Sequence, residues 1–90
     1  VINSGGLKIH PEQLERELAP LLDIPFYIVG VPDEKWGQSV AIVIEGSQDD
    51  AQKASKRLEI LTDGRKRPKR VIAMAEFERT SSGKIKRKLL

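Results

Sequence analysis

Three short stretches of this sequence carry residues suited to chemistry, and two of them are turns. Thr80-Ser81-Ser82-Gly83-Lys84 sets a lysine directly after a glycine. The glycine lets the backbone come close to a ligand, and the lysine offers a compact cation with three donors. That pairing suits an anionic group. The spacing is not that of a phosphate-cradling Gly-x-x-x-x-Gly-Lys-Ser/Thr loop, and a solvated basic tail accounts for the pattern equally well. Asn3-Ser4-Gly5-Gly6 is a turn cluster: either a plain connection or a backbone that must pass close to a ligand or another domain. Trp36, the sole tryptophan, sits in a polar loop, as an anchor over a sheet edge or as an aromatic wall for a ligand. Asp33 in the same loop reads as a turn former rather than a general base, and His10 as a helix-start residue. With one histidine and no cysteine, disulfides and thiolate zinc sites are excluded, and little is left for a Ser/His/Asp triad.

The elements that must position these residues fit in one domain. Ninety residues, 39% hydrophobic and 32% charged, have a globular composition. No apolar run approaches the ~20 residues of a membrane-spanning helix, no secretory leader pattern is visible, and the lack of cysteine fits a reducing, cytoplasmic compartment. Val1-Ile2 running straight into a turn cluster reads as a domain cut from a longer chain. Residues 1–64 carry 6 Lys and Arg against 11 Asp and Glu, net −5, whereas residues 65–90 carry 10 against 2, net +8. A basic third on an acidic body calls for an anionic partner: nucleic acid, membrane or a phosphate-bearing small molecule. The basic end lacks the interleaved aromatics that stack bases.

Alternation predicts a short strand at Leu7–Ile9. Pro11 and the spacing of Leu14 and Leu18 predict a helix over 11–19. The runs 26–31 and 39–44 read as antiparallel strands joined by the Pro32–Gly37 loop. Asp49 and Asp50 are the expected cap of a second helix with an apolar face of Ala51, Ala54, Leu58 and Leu61 and a C-cap at Gly64. A basic linker over 65–69, a strand over 70–77 and the turn at 80–83 complete the chain. The expected fold is α+β: β-α-β-β-α-β, with both helices on one face of a small, mainly antiparallel sheet.

In order, these segments resemble a known family. Ile2 to Glu15 resembles the Ser-Gly-Gly-x-x-Ile-x-Pro-x-Glu-(Ile/Val)-Glu segment of adenylate-forming enzymes. Gly30-Val31-Pro32-Asp33-Glu34-Lys35-Trp36-Gly37-Gln38 resembles their Gly-x-Pro-Asp-x-x-(Trp/Tyr)-Gly-(Glu/Gln) loop. Arg79 to Arg87 resembles their final Arg-Thr-x-Ser-Gly-Lys-Ile-x-Arg signature. Glu78 departs from the usual proline, Leu14 from a β-branched residue, and Lys66 to Arg70 replaces the usual lead into the last strand. The match is to the acyl-CoA synthetase branch, and residues 1–90 resemble its small, mobile C-terminal domain without the large N-terminal domain. The Asn before Ser-Gly-Gly and the compact domain resemble the o-succinylbenzoate–CoA ligases of menaquinone biosynthesis.

The resemblance implies a reaction in two halves: a carboxylate attacks the α-phosphate of ATP, and the thiol of coenzyme A then attacks the acyl-adenylate and releases AMP. It implies that Lys84 is the catalytic lysine of adenylation, on a loop supported by Thr80, Ser82 and Gly83. Ser4, Gly5, Gly6 and Trp36 are the implied coenzyme A contacts, with Lys86, Arg87 and the Lys66–Arg70 cluster drawing its phosphates. The implied partners are the chain's own N-terminal domain, ATP or AMP, a carboxylic acid and coenzyme A, with no nucleic acid and no membrane span. Mg2+ is expected in the complete enzyme but not on this domain, and the isolated domain is expected to be inactive. The alternative is a free-standing basic α+β module binding RNA or another polyanion, against which the acidic charge of residues 1–64 counts.

Overall fold

The two continuous apolar runs form the centre of the molecule. In the computed structural model, which describes residues 1–61 and 68–86, β3 (Phe26–Asp33) and β4 (Gly37–Glu45) pair antiparallel from Phe26 opposite Ile44 to Asp33 opposite Gly37. Period-2 alternation sends Ile28, Val40, Ile42 and Ile44 to one face and Tyr27, Val29, Val31, Ala41 and Val43 to the other. All nine are buried, so both faces of this hairpin are covered, which explains why the runs show no polar alternation.

The first face carries both helices. α1 (Pro11–Leu18) contributes Leu14 and Leu18, and α2 (Gln48–Leu61) contributes Ala51, Ala54 and Leu58. α1 starts as expected, with His10 at the N-cap in extended backbone and Pro11 in the first turn, and runs on into a 3-10 turn at Ala19–Leu21. Glu15 on α1 reaches the sheet edge, where its Oε2 accepts the Ile28 N–H at 2.8 Å. β5 (Arg70–Met74) pairs parallel with β4, Ala41 opposite Arg70 through Glu45 opposite Met74, after the crossover that contains α2.

The architecture is the expected α+β, with three differences. Ile2–Ser4 is itself a strand, β1, paired antiparallel with β2 (Leu7–Ile9), and Ile2 is buried at 3% exposure. Two of its three residues, Asn3 and Ser4, are turn formers and read with Gly5-Gly6 as a turn. The cap of α2 is Ser47, not Asp49 or Asp50. Ser47 Oγ accepts the Asp50 N–H at 3.2 Å while Asp50 Oδ2 accepts the Ser47 N–H at 2.9 Å, a reciprocal capping box. Finally, β5 stops at Met74 instead of running to Phe77. Its partner β4 ends at Glu45, so the chain bends and lays Phe77 on the second face, 5.1 Å from Tyr27 between ring centroids. The expected C-cap Gly64 and the basic residues 65–67 lie outside the described residues.

β1 and β5 share one edge of β4, at opposite ends. β1 touches β4 at Ser4 opposite Gly37, and β5 runs along Ala41–Glu45. Among the described residues no helix is long and apolar enough to cross a membrane.

Candidate functional site

At the Gly37 end of β4, two turns meet. Gly5 and Gly6 link β1 to β2 with φ of 57° and 89°. A two-residue hairpin turn with both central φ positive follows the twist of its strands, and glycine adopts it without strain. Asp33 shapes the facing loop: its Oδ1 accepts the N–H groups of Lys35 and Trp36, both at 2.9 Å. These bonds, that of Trp36 foremost, with the nearby Lys69 ammonium, hold the Asp33 carboxyl below its ordinary range against the opposing effect of desolvation. Asp33 is thus the turn former its sequence context suggested. The loop then receives the hairpin, since Trp36 O accepts the Gly5 N–H at 2.8 Å.

Among the described residues, two cations attend the half-buried Trp36. Lys35 Nζ lies 5.0 Å and Lys69 Nζ 5.9 Å from its ring centroid, and Lys69 also pairs with Asp33 Oδ2 at 3.5 Å. Gly5 and Gly6 are exposed, whereas Ser4 is inside the fold at 2% exposure. A Cβ built on Gly6 would meet nothing within 4 Å. An exposed glycine turn is thus bonded to the loop that carries an indole ring and, among the described residues, two ammonium groups.

At the Glu45 end lies the lysine. Residues 79–85 form a second hairpin, with Arg79 bridged to Ile85. Thr80 N–H donates to Lys84 O at 2.8 Å and Gly83 N–H to Thr80 O at 2.9 Å, closing a turn in which Gly83 has φ 88°. Thr80 Oγ1 accepts the Lys84 N–H at 3.2 Å and lies 3.0 Å from Ser82 Oγ, so Thr80 alone of the three bonds the lysine's backbone, while Ser82 and Gly83 bond to Thr80. The Lys84 side chain is exposed. Ile85 packs on the second face with Phe77.

Glu45 ties this hairpin to the sheet. Its oxygens accept Arg79 Nη1 and Nη2 at 2.9 Å each, and Oε2 also accepts the Phe77 N–H at 2.7 Å. Together, the Arg79 bonds first, they depress the carboxyl to about 2. Neither Glu45 nor Lys69 stands out in the sequence: the first closes an apolar strand, the second belongs to a basic linker, and their partners lie more than thirty positions away.

The fold therefore brings Gly5 to Trp36, and Thr80, Ser82 and Gly83 to Lys84, but sets the two groups at opposite ends of β4. Lys86 is exposed, and Arg87 lies outside the described residues. Among the described residues no three His, Asp or Glu side chains converge on a metal position. A surface concavity of about 420 Å³ on the helical side, lined by Leu22, Ile24, Ala54 and Arg57 among others, contains none of the motif residues.

No protein-family profile matches the chain. It is 36% identical over 96 aligned positions to 4-chlorobenzoate–CoA ligase of Pseudomonas sp. (strain CBS-3), covering 100% of this chain and 18% of the relative. It is 36% identical over 91 to indoleacetate–CoA ligase of Aromatoleum aromaticum, covering 97% and 18%. The solved structure of Mycobacterium tuberculosis fatty acyl CoA synthetase superposes with a TM-score of 0.73 at 29% identity, over 93% of this chain and 17% of that one. The chain thus matches acyl-CoA ligases of the adenylate-forming superfamily over less than a fifth of their length, and its fold is that of the acyl-CoA synthetase C-terminal domain.

Proposed function

We propose that residues 1–90 are the small, mobile domain of an AMP-forming acid–CoA ligase, serving each half-reaction with a different end. The observation that carries this reading is the separation of the two clusters. They are anchored at Gly37 and Glu45, the first and last of the 9 residues of β4, or roughly 26 Å apart at the rise of an antiparallel strand. One set of reacting atoms does not reach both, so the domain turns between two poses against a large N-terminal domain.

In the first pose Lys84 enters the ATP site. A carboxylate oxygen attacks the α-phosphorus, pyrophosphate leaves, and negative charge gathers on the phosphoryl oxygens. The lysine ammonium offsets that charge, and most strongly in the transition state. An exposed hairpin suits a group that must enter another domain and withdraw. In the second pose the Gly5–Gly6 turn lines the pantetheine passage beside Trp36. The thiol sulfur loses its proton to solvent and attacks the acyl carbon, and AMP leaves with the electron pair of the broken acyl–oxygen bond. Lys35 and Lys69 stand where coenzyme A phosphates would be drawn, and Ser4 supports the turn from inside.

The names of the two relatives point to an aromatic carboxylic acid, and the Asn3-Ser4-Gly5-Gly6 opening narrows our proposal to o-succinylbenzoate and menaquinone biosynthesis in the cytoplasm. Magnesium accompanying ATP belongs on this reading to the N-terminal domain. The test is Lys84→Ala in the complete ligase. Acyl-adenylate formation should fall by about 10²–10³-fold, while thioester formation from supplied acyl-adenylate stays intact. Equal loss in both halves would remove the role given to Lys84. Tight, salt-sensitive RNA binding by the 90-residue chain would favour the polyanion module instead.

A further inference from the structure

The lysine hairpin holds its own shape but not its own place. Three of its backbone bonds are internal: Thr80 to Lys84, Gly83 to Thr80, and Lys86 N–H to Glu78 O at 2.8 Å. β5 has ended at Met74, and among the described residues no ladder joins the hairpin to the sheet. What fixes its placement is Ile85 and Phe77 on the second face, and the Glu45 carboxylate. Apolar contact alone is non-directional and lets a small hairpin slide or tilt. The Glu45–Arg79 contact is directional. Two parallel N–H···O bonds between planar groups set an angle as well as a distance. The same carboxylate holds the Phe77 N–H, so one side chain grips the segment at residues 77 and 79.

We propose that Glu45 and Arg79 are positioning residues for Lys84, forming a clamp that sets where and at what angle the lysine hairpin leaves the sheet. The pair spans 34 positions and touches no reacting atom. Its effect on the reaction is indirect: it preorganises the approach of Lys84 to the phosphate, and a displacement of about 1 Å at that point can cost on the order of 10²-fold. Arg79 is half-exposed and Glu45 less so, at 38% and 19% for their side chains, so the clamp can hold without a buried charge. The reach of the clamp into adenylation rests on the function proposed above; the clamp itself does not.

Two arms test the two parts separately. In the 90-residue chain, amide hydrogen exchange is compared for wild type, Glu45→Gln and Arg79→Lys. The Phe77 amide should lose about tenfold or more of its protection in Glu45→Gln, the scale of a lost charge-assisted bond. Amides of β3 and β4 should be unchanged, which also shows that the variant folds. In Arg79→Lys, residual dipolar couplings of residues 80–84 should shrink as the hairpin loses its fixed angle. Wild-type protection at Phe77 together with wild-type couplings would overturn the clamp. In the complete ligase, Arg79→Lys should lower kcat for adenylation by about tenfold or more with KM for ATP unchanged, and leave thioester formation untouched. Full activity of Arg79→Lys would mean that charge alone suffices and would overturn the positioning role. If Lys84→Ala proves silent there while the exchange result holds, the clamp stands and the adenylation role of Lys84 falls.

Discussion

Replacing Gly83 by alanine is expected to slow acyl-adenylate formation, by at most about 30-fold, and to leave the thioester half-reaction alone. The new methyl group meets nothing within 4 Å, so the cost is not steric. It is conformational: Gly83 has φ 88°, and an L residue held in that left-handed region is strained by roughly 1–2 kcal/mol. The penalty falls on a small hairpin whose Gly83 N–H bond to Thr80 O is one of the few that close it. Hairpins of two strands are marginal by themselves, so 1–2 kcal/mol moves the balance toward open forms by a factor of about 5–30. If Lys84 is presented only by the closed form, the rate follows the closed fraction. Core amides, far from residue 83 in the fold, should keep their protection. The assay is pyrophosphate release in a single turnover, set against coenzyme A consumption from synthetic acyl-adenylate. Gly83→Asn, which tolerates the left-handed region better, should fall between. Wild-type pyrophosphate release in Gly83→Ala would refute the reasoning, since the turn would then not be the productive shape. Equal loss in both halves would refute it from the other side.

Other substitutions probe the opposite end and the scaffold. Gly6→Leu projects into open space from a backbone at φ 89°; it should raise the coenzyme A KM and spare adenylation, and normal coenzyme A kinetics would remove the passage. Gly30→Ala would put its Cβ 3.0 Å from Ile2 Cγ1 and 3.2 Å from Gln38 Nε2, where Gln38 Oε1 also holds the Asn3 N–H. Overpacking of roughly 1–3 kcal/mol should lower Tm by about 4 °C or more, and an unchanged Tm would mean that β1 gives way freely. Glu45 titrates at about 2 in the folded chain against an ordinary 4.5, so its stabilisation is complete above 4.5 and is lost as the pH falls toward 2. The urea midpoint of Glu45→Gln should therefore fall less steeply over that interval than that of wild type; parallel curves would uncouple the clamp from folding.

Local chemistry was largely legible. The apolar runs 26–31 and 39–44 mark β3 and β4, Pro11 and Leu14 mark α1, and Gly-Gly and Ser-Gly mark turns, because each follows from a period or a preferred backbone angle carried by adjacent residues. Ser47 and Asp50 form a capping box legible in principle, although the adjacent acidic pair Asp49-Asp50 drew the expectation to the wrong cap. The end of β5 was not legible. Arg70 to Phe77 is strand-like throughout, and only the end of its partner β4 at Glu45 stops it.

By itself, then, the sequence determined most of the elements, the two turns and the lysine that follows one of them. Tertiary structure alone decided that these turns stand at opposite ends of β4, that Phe77 and Ile85 cover its second face, and that Glu45 grips Arg79. The reason is physical. Backbone preference and side-chain period act over a few residues, whereas an ion pair across 34 positions or a shared strand edge exists only once packing has brought distant segments together.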